Sequence, residues 1–97
     1  MSLRYTARAK KADIAAIHAY IAARNPAAAT AVIRRVREIG ILLAQYPGIG
    51  RATGTAGIRF LPATPYPYLV YFSQKSKEVT VVHIRHEARD VPGRENF

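Results

Sequence analysis

The stretch Tyr46–Leu61, YPGIGRATGTAGIRFL, divides the chain into two halves with different periodicity. Its Pro47-Gly48 pair and the glycines at 48, 50, 54 and 57 read as a loop, since glycine and proline interrupt both helical and extended patterns. Upstream, apolar residues recur at the helical period. Ile14, Ile17, Tyr20 and Ile21 form one stripe of an Ala-rich helix over residues 9–24. Ala29, Val32, Ile33, Val36, Ile39, Leu42 and Leu43 form a second stripe, with Arg34, Arg35, Arg37 and Glu38 on the opposite face. Asn25-Pro26 separates the two helices: Asn suits an N-cap, and Pro suits the first helical turn. Within the second helix, Gly40 marks either a close approach of another group or a weak point.

Downstream of the loop the period falls to two. Ile58–Pro62, Tyr68–Ser73 and Val79–Arg85 are rich in β-branched and aromatic residues and read as strands. The polar link 74–78 makes the last two an antiparallel hairpin, and Leu3–Thr6 offers an edge strand. Helices grouped first and strands grouped last give an α+β fold: an N-terminal helical hairpin packed on one face of a small antiparallel β-sheet, within a single domain spanning 1–97.

Alternation then assigns faces. With Phe60, Val70, Phe72, Val82 and Ile84 under the helices, Arg59, Leu61, Leu69, Tyr71, His83 and Arg85 turn to the other side. That face carries two Arg, one Tyr and one His among aliphatics. It is either a wet surface covered by Arg stems or a grip for phosphate, with His83 or Tyr71 as the groups able to move a proton.

Composition narrows the chemistry. The 97 residues hold 15 Lys and Arg against 6 Asp and Glu, a formal charge of +9, which favours a polyanionic or acidic partner. With no cysteine there is no disulfide, thiolate metal site or thiol nucleophile. His83 and His86 fall on opposite sides of a strand, so no metal is expected, and no Gly-Lys-Ser or Gly-Lys-Thr follows the glycines to make a phosphate loop. No cofactor is expected. The basic start is not followed by an uninterrupted apolar run and no 18 apolar residues are consecutive, so neither a signal peptide nor a membrane span is expected, and a cytoplasmic location fits.

Several short motifs, in this order, resemble toxins of the RelE/ParE superfamily of bacterial toxin–antitoxin systems. They are Ala9–Ile14, Ile17–Ile21, Asn25–Ala29, Tyr46–Arg51, Tyr66–Phe72 and Val82–Arg89. The resemblance covers nearly the whole chain and implies a toxin held inactive by a cognate antitoxin. The helical groove and the open sheet face are the surfaces where that antitoxin is expected. The long hairpin, the Tyr-Pro-Tyr strand and the Arg-His-Glu-Ala-Arg ending look closer to ParE, whose members poison DNA gyrase without cutting nucleic acid. RelE-like members cut mRNA on the ribosome, and Arg59 and Arg85 lie roughly where such enzymes keep phosphate-binding arginines. On that alternative, Arg59, Arg85, Tyr71 and His83 are the catalytic candidates. On either, the resemblance marks Arg59, Tyr71, His83, Arg85, His86 and Arg89 as candidates for binding a partner or target.

Overall fold

The computed structural model describes residues 1–89. Strand β1 (Ser2–Tyr5) leads into helix α1, wound as a π-helix over Arg8–Ile14 and as an α-helix over Ala15–Ala22. Helix α2 (Pro26–Gln45) follows, then a 3-10 turn (Pro47–Ile49), strands β2 (Arg51–Ala52), β3 (Arg59–Pro62), β4 (Tyr68–Lys75) and β5 (Glu78–His86), and a final 3-10 turn (Glu87–Arg89). The capping chemistry between the helices is as the sequence implies. Asn25 is extended, its Oδ1 accepts the Ala28 N–H at 3.0 Å, and Pro26 occupies the first turn.

The five strands lie in the order β1-β5-β4-β3-β2. The expected all-antiparallel sheet needs correcting, because β1 pairs with β5 in parallel, Leu3 against Val79 and Tyr5 against Val81. Between them the chain passes through both helices and three strands, so no hairpin dictates their relative direction. The β4–β5 hairpin forms as expected and turns tightly at Ser76-Lys77, since Lys75 pairs with Glu78.

Ile33, Val36, Ile39 and Leu43 of α2 pack with Val70, Phe72, Val79, Val81 and Ile84 of the sheet, all at most 9% exposed. Ile17 and Ile21 of α1 border this core. Burying each of these side chains contributes roughly 1.5–3 kcal/mol, which is why the helical stripe and the strands commit to one another.

Two face assignments change. Between Tyr71 and Phe72 the register with β5 shifts: Phe72 faces Val81 but Tyr71 faces His83, leaving Val82 as the extra residue of a β-bulge. Val81, fully buried, therefore takes the core position expected of Val82. In β3, Leu61 pairs with Val70 and Phe60 with Tyr71, so Leu61 joins the core side and Phe60 the other, the reverse of expectation. A strand of four residues with apolar groups of both parities carries no face preference of its own, and pairing decides.

Gly40 marks a close approach. A Cβ built there would lie 2.5 Å from the Tyr5 hydroxyl, so α2 can settle over β1 only without a side chain at this point.

Candidate functional site

Cross-strand register places Arg51, Phe60, Tyr71 and His83 in one row on the face away from the core, one residue from each of β2, β3, β4 and β5. The rings are in contact range. Phe60 and Tyr71 have centroids 5.6 Å apart at an interplanar angle of 34°, and Tyr71 and His83 have centroids 6.0 Å apart at 30°. The Arg85 guanidinium lies 4.8 Å above the Tyr71 ring, and its Nη2 donates to the Tyr71 hydroxyl at 2.9 Å. Beneath these neighbours Tyr71 is only 1% exposed.

Where β1 stops at Tyr5, the outer edge of β5 loses its strand partner. Asp13, in the π-helical part of α1, takes over. Its Oδ2 accepts the Ile84 N–H at 3.1 Å and meets His83 Nδ1 at 2.6 Å. An ionised carboxylate only accepts, so this contact assigns a proton to Nδ1. Both side chains are largely buried, 11% and 13% exposed, so the pair fixes the imidazole and ties α1 to the sheet edge. Asp13, His83 and Arg85 border a cleft of about 640 Å³ between α1 and the end of β5.

The remaining sequence candidates lie elsewhere. Arg59 pairs with Phe72 and so belongs to the helix side, where its Nε donates to the Gly50 carbonyl at 3.1 Å and its Nη2 donates to the same oxygen. His86 pairs with Tyr68, also on the helix side, with the two rings edge to face at 5.2 Å. Its Nδ1 accepts the Ala88 N–H at 3.0 Å. The side chain of Arg89 lies outside the described residues. The structure thus brings Tyr71, His83 and Arg85 together, adds Arg51, Phe60 and Asp13, and separates Arg59 and His86 from them.

A second candidate surface lies on the helical hairpin. Hollows of about 470 and 360 Å³ meet at Arg37 and Ile41. Arg34 and Lys10 stand at their rims, Ile33 and Ile14 line them, and Ile41 is 55% exposed. Tyr5 lies at one end. Its hydroxyl is buried without a hydrogen bond among the described residues, and burial raises its pKa above the ordinary tyrosine value, opposed by the charge of Arg37.

The model of the family described as "ParE toxin of type II toxin-antitoxin system, parDE" matches residues 3–91. The chain belongs to that family. It is accordingly a toxin of a type II toxin–antitoxin system within the RelE/ParE superfamily, whose members pair with a cognate antitoxin. Toxin RelE2 of Caulobacter vibrioides is 38% identical over 78 residues, covering 80% of this chain and 86% of that relative. A solved structure of the chromosomal ParDE toxin–antitoxin system from P. aeruginosa superposes with a TM-score of 0.78 at 28% identity, covering 89% of this chain and 95% of the other. The likeness extends to the architecture, two helices against a five-stranded mixed sheet. Among the described residues, no helix is long and apolar enough to cross a membrane.

Proposed function

We propose that this ParE-family toxin is a cytoplasmic poison of DNA gyrase that acts by binding and carries no active site of its own. The observation that supports this most is the separation of Arg59 from Arg85. A nuclease of the kind considered above needs both guanidinium groups on one phosphate. Here Arg59 is anchored to the Gly50 carbonyl on the helix side, while Arg85 lies over Tyr71 on the other. Tyr71, at 1% exposure, is a poor candidate for transferring a proton to a substrate.

The cognate antitoxin docks, on this reading, along the hairpin groove. Arg34, Arg37 and Lys10 outnumber the single carboxylate there, Glu38, which is paired with Arg35, and this basic border on an apolar floor suits an acidic amphipathic segment that orders as it binds. A supercoiling assay with purified gyrase tests the reading: inhibition with trapped cleavage complex is expected, relieved by equimolar antitoxin. Full supercoiling in the presence of the toxin contradicts it. The clustering of Tyr71, His83 and Arg85 favours the alternative, a ribosome-dependent ribonuclease, and on that alternative Arg85→Ala abolishes mRNA cleavage.

A further inference from the structure

We propose that the turn following α2, displaying Tyr46 and Ile49 beside Arg59, is the anchor by which the toxin grips its target protein. The occupant is a patch of apolar side chains ringed by carboxylates on that target. The proposal rests on the poison reading, in which target binding is the whole activity.

Tyr46 is 60% and Ile49 43% exposed, among the largest apolar exposures on the described surface. Neither side chain serves the core, yet the backbone beneath them is braced on every side. Tyr46 N–H donates to the Leu42 carbonyl at 2.8 Å, and Ile49 N–H donates to the Tyr46 carbonyl at 3.1 Å. Pro47 fixes its own φ within the turn. At Gly50 the backbone passes so close to the Phe72 ring that a Cβ would collide with it. The Arg59 guanidinium closes the brace by donating twice to the Gly50 carbonyl. A turn held this firmly presents its aromatic and aliphatic groups without a backbone ordering cost on association.

Tyr and Arg dominate the residues that carry binding energy at protein interfaces, and exposed apolar groups rimmed by charge mark such sites. Arg59 is exposed at the turn and has no carboxylate partner among the described residues. Its guanidinium supplies positive charge that no carboxylate neutralises locally, which selects an acidic rim on the partner. The hairpin groove assigned to the antitoxin centres on Arg37 and Ile41, so the two surfaces can be separated by mutation.

The full-length double variant Tyr46→Ala/Ile49→Ala is measured three ways beside the unchanged chain: growth arrest on induction, gyrase inhibition, and antitoxin affinity by calorimetry. The expected result is a loss of toxic potency of about tenfold or more, with antitoxin affinity held within about twofold. Unchanged potency overturns the proposal, as does a parallel fall in antitoxin affinity, which would assign the turn to the antitoxin. If the unchanged toxin arrests growth yet leaves gyrase untouched, the identity of the target falls, while the growth ratio of variant to parent still decides the turn. As a second measurement, the absence of cysteine allows a Gly48→Cys variant, whose new side chain meets no atom within 4 Å and leaves Tyr46 and Ile49 intact, to carry a single photo-crosslinker, for which covalent capture of purified gyrase is expected and no adduct would contradict the anchor.

Discussion

The two faces of the sheet bury their residues by different means. On the helix side, Val70, Phe72 and Val81 are fully buried in an apolar cluster with Val36, Ile39 and Leu43 of α2. On the other side, Tyr71 and His83 are nearly as buried, at 1% and 8%, but their cover is a guanidinium, a carboxylate and neighbouring rings. Apolar burial stabilises directly. Polar burial is close to neutral when every group is paired and costly when one partner goes missing. One face therefore supplies the stability, and the other holds a fixed arrangement of charge and aromatic rings at little net gain.

The largest expected effect breaks the apolar side. Phe72→Ala removes a fully buried ring from the middle of the core and costs about 3–5 kcal/mol, read as a lowered denaturation midpoint or failure to fold. Next comes Asp13, the hinge between the faces. Asp13→Ala strands both the Ile84 N–H and the His83 Nδ1–H, a loss of about 1–3 kcal/mol in chemical denaturation. Asp13→Asn keeps one acceptor oxygen and should lose less. Parental stability in both variants would show that the hydrogen bonds at this edge contribute nothing.

A smaller effect sharpens the comparison at the rim of the apolar side. Gly40→Ala drives a methyl group into the Tyr5 hydroxyl and should cost about 1–3 kcal/mol. Tyr5→Phe deletes that hydroxyl, which has no hydrogen bond among the described residues, so it should be neutral or stabilising alone and should rescue most of the Gly40→Ala loss. Additive losses in the double variant would refute the steric account. The smallest effect is alkaline. Burial raises the Tyr5 pKa, so the unfolded chain ionises first as pH climbs. The contribution is complete below about pH 10, the ordinary tyrosine value, and fades above it. Tyr5→Phe should flatten that decline in a pH series of unfolding curves.

Long amphipathic elements were readable because their pattern repeats. Helix α2 offers seven stripe positions and an Asn-Pro start, so its position and its buried face follow from periodicity alone. Strands β4 and β5 were readable as a hairpin for the same reason, and the outward placement of Tyr71, His83 and Arg85 followed from their alternation. What escaped depends on pairings that leave no local trace. The bulge at Val82 is set by the ladder with β4, the face of β3 by its register against Val70 and Tyr71, and the direction of β1 by a crossover spanning most of the chain. Arg51 sits on a two-residue strand too short to show a period. Asp13 looked like any acid on a helix, because its two partners lie 70 and 71 residues away and the π-helical winding that surrounds it has no sequence signal as clear as a cap. Arg59 misled for a physical reason: an arginine in a short strand reads as outward on either face, and here outward meant the helix side.

On the proposed reading this toxin binds without cutting, and the most direct test maps RNA ends. Purified toxin added to an actively translating extract, followed by primer extension on the message, should yield no new 5′ ends relative to extract alone, even at concentrations that arrest gyrase. New cuts that appear only with ribosomes present and vanish with Arg85→Ala would contradict the account and restore the open sheet face as a site of phosphodiester cleavage.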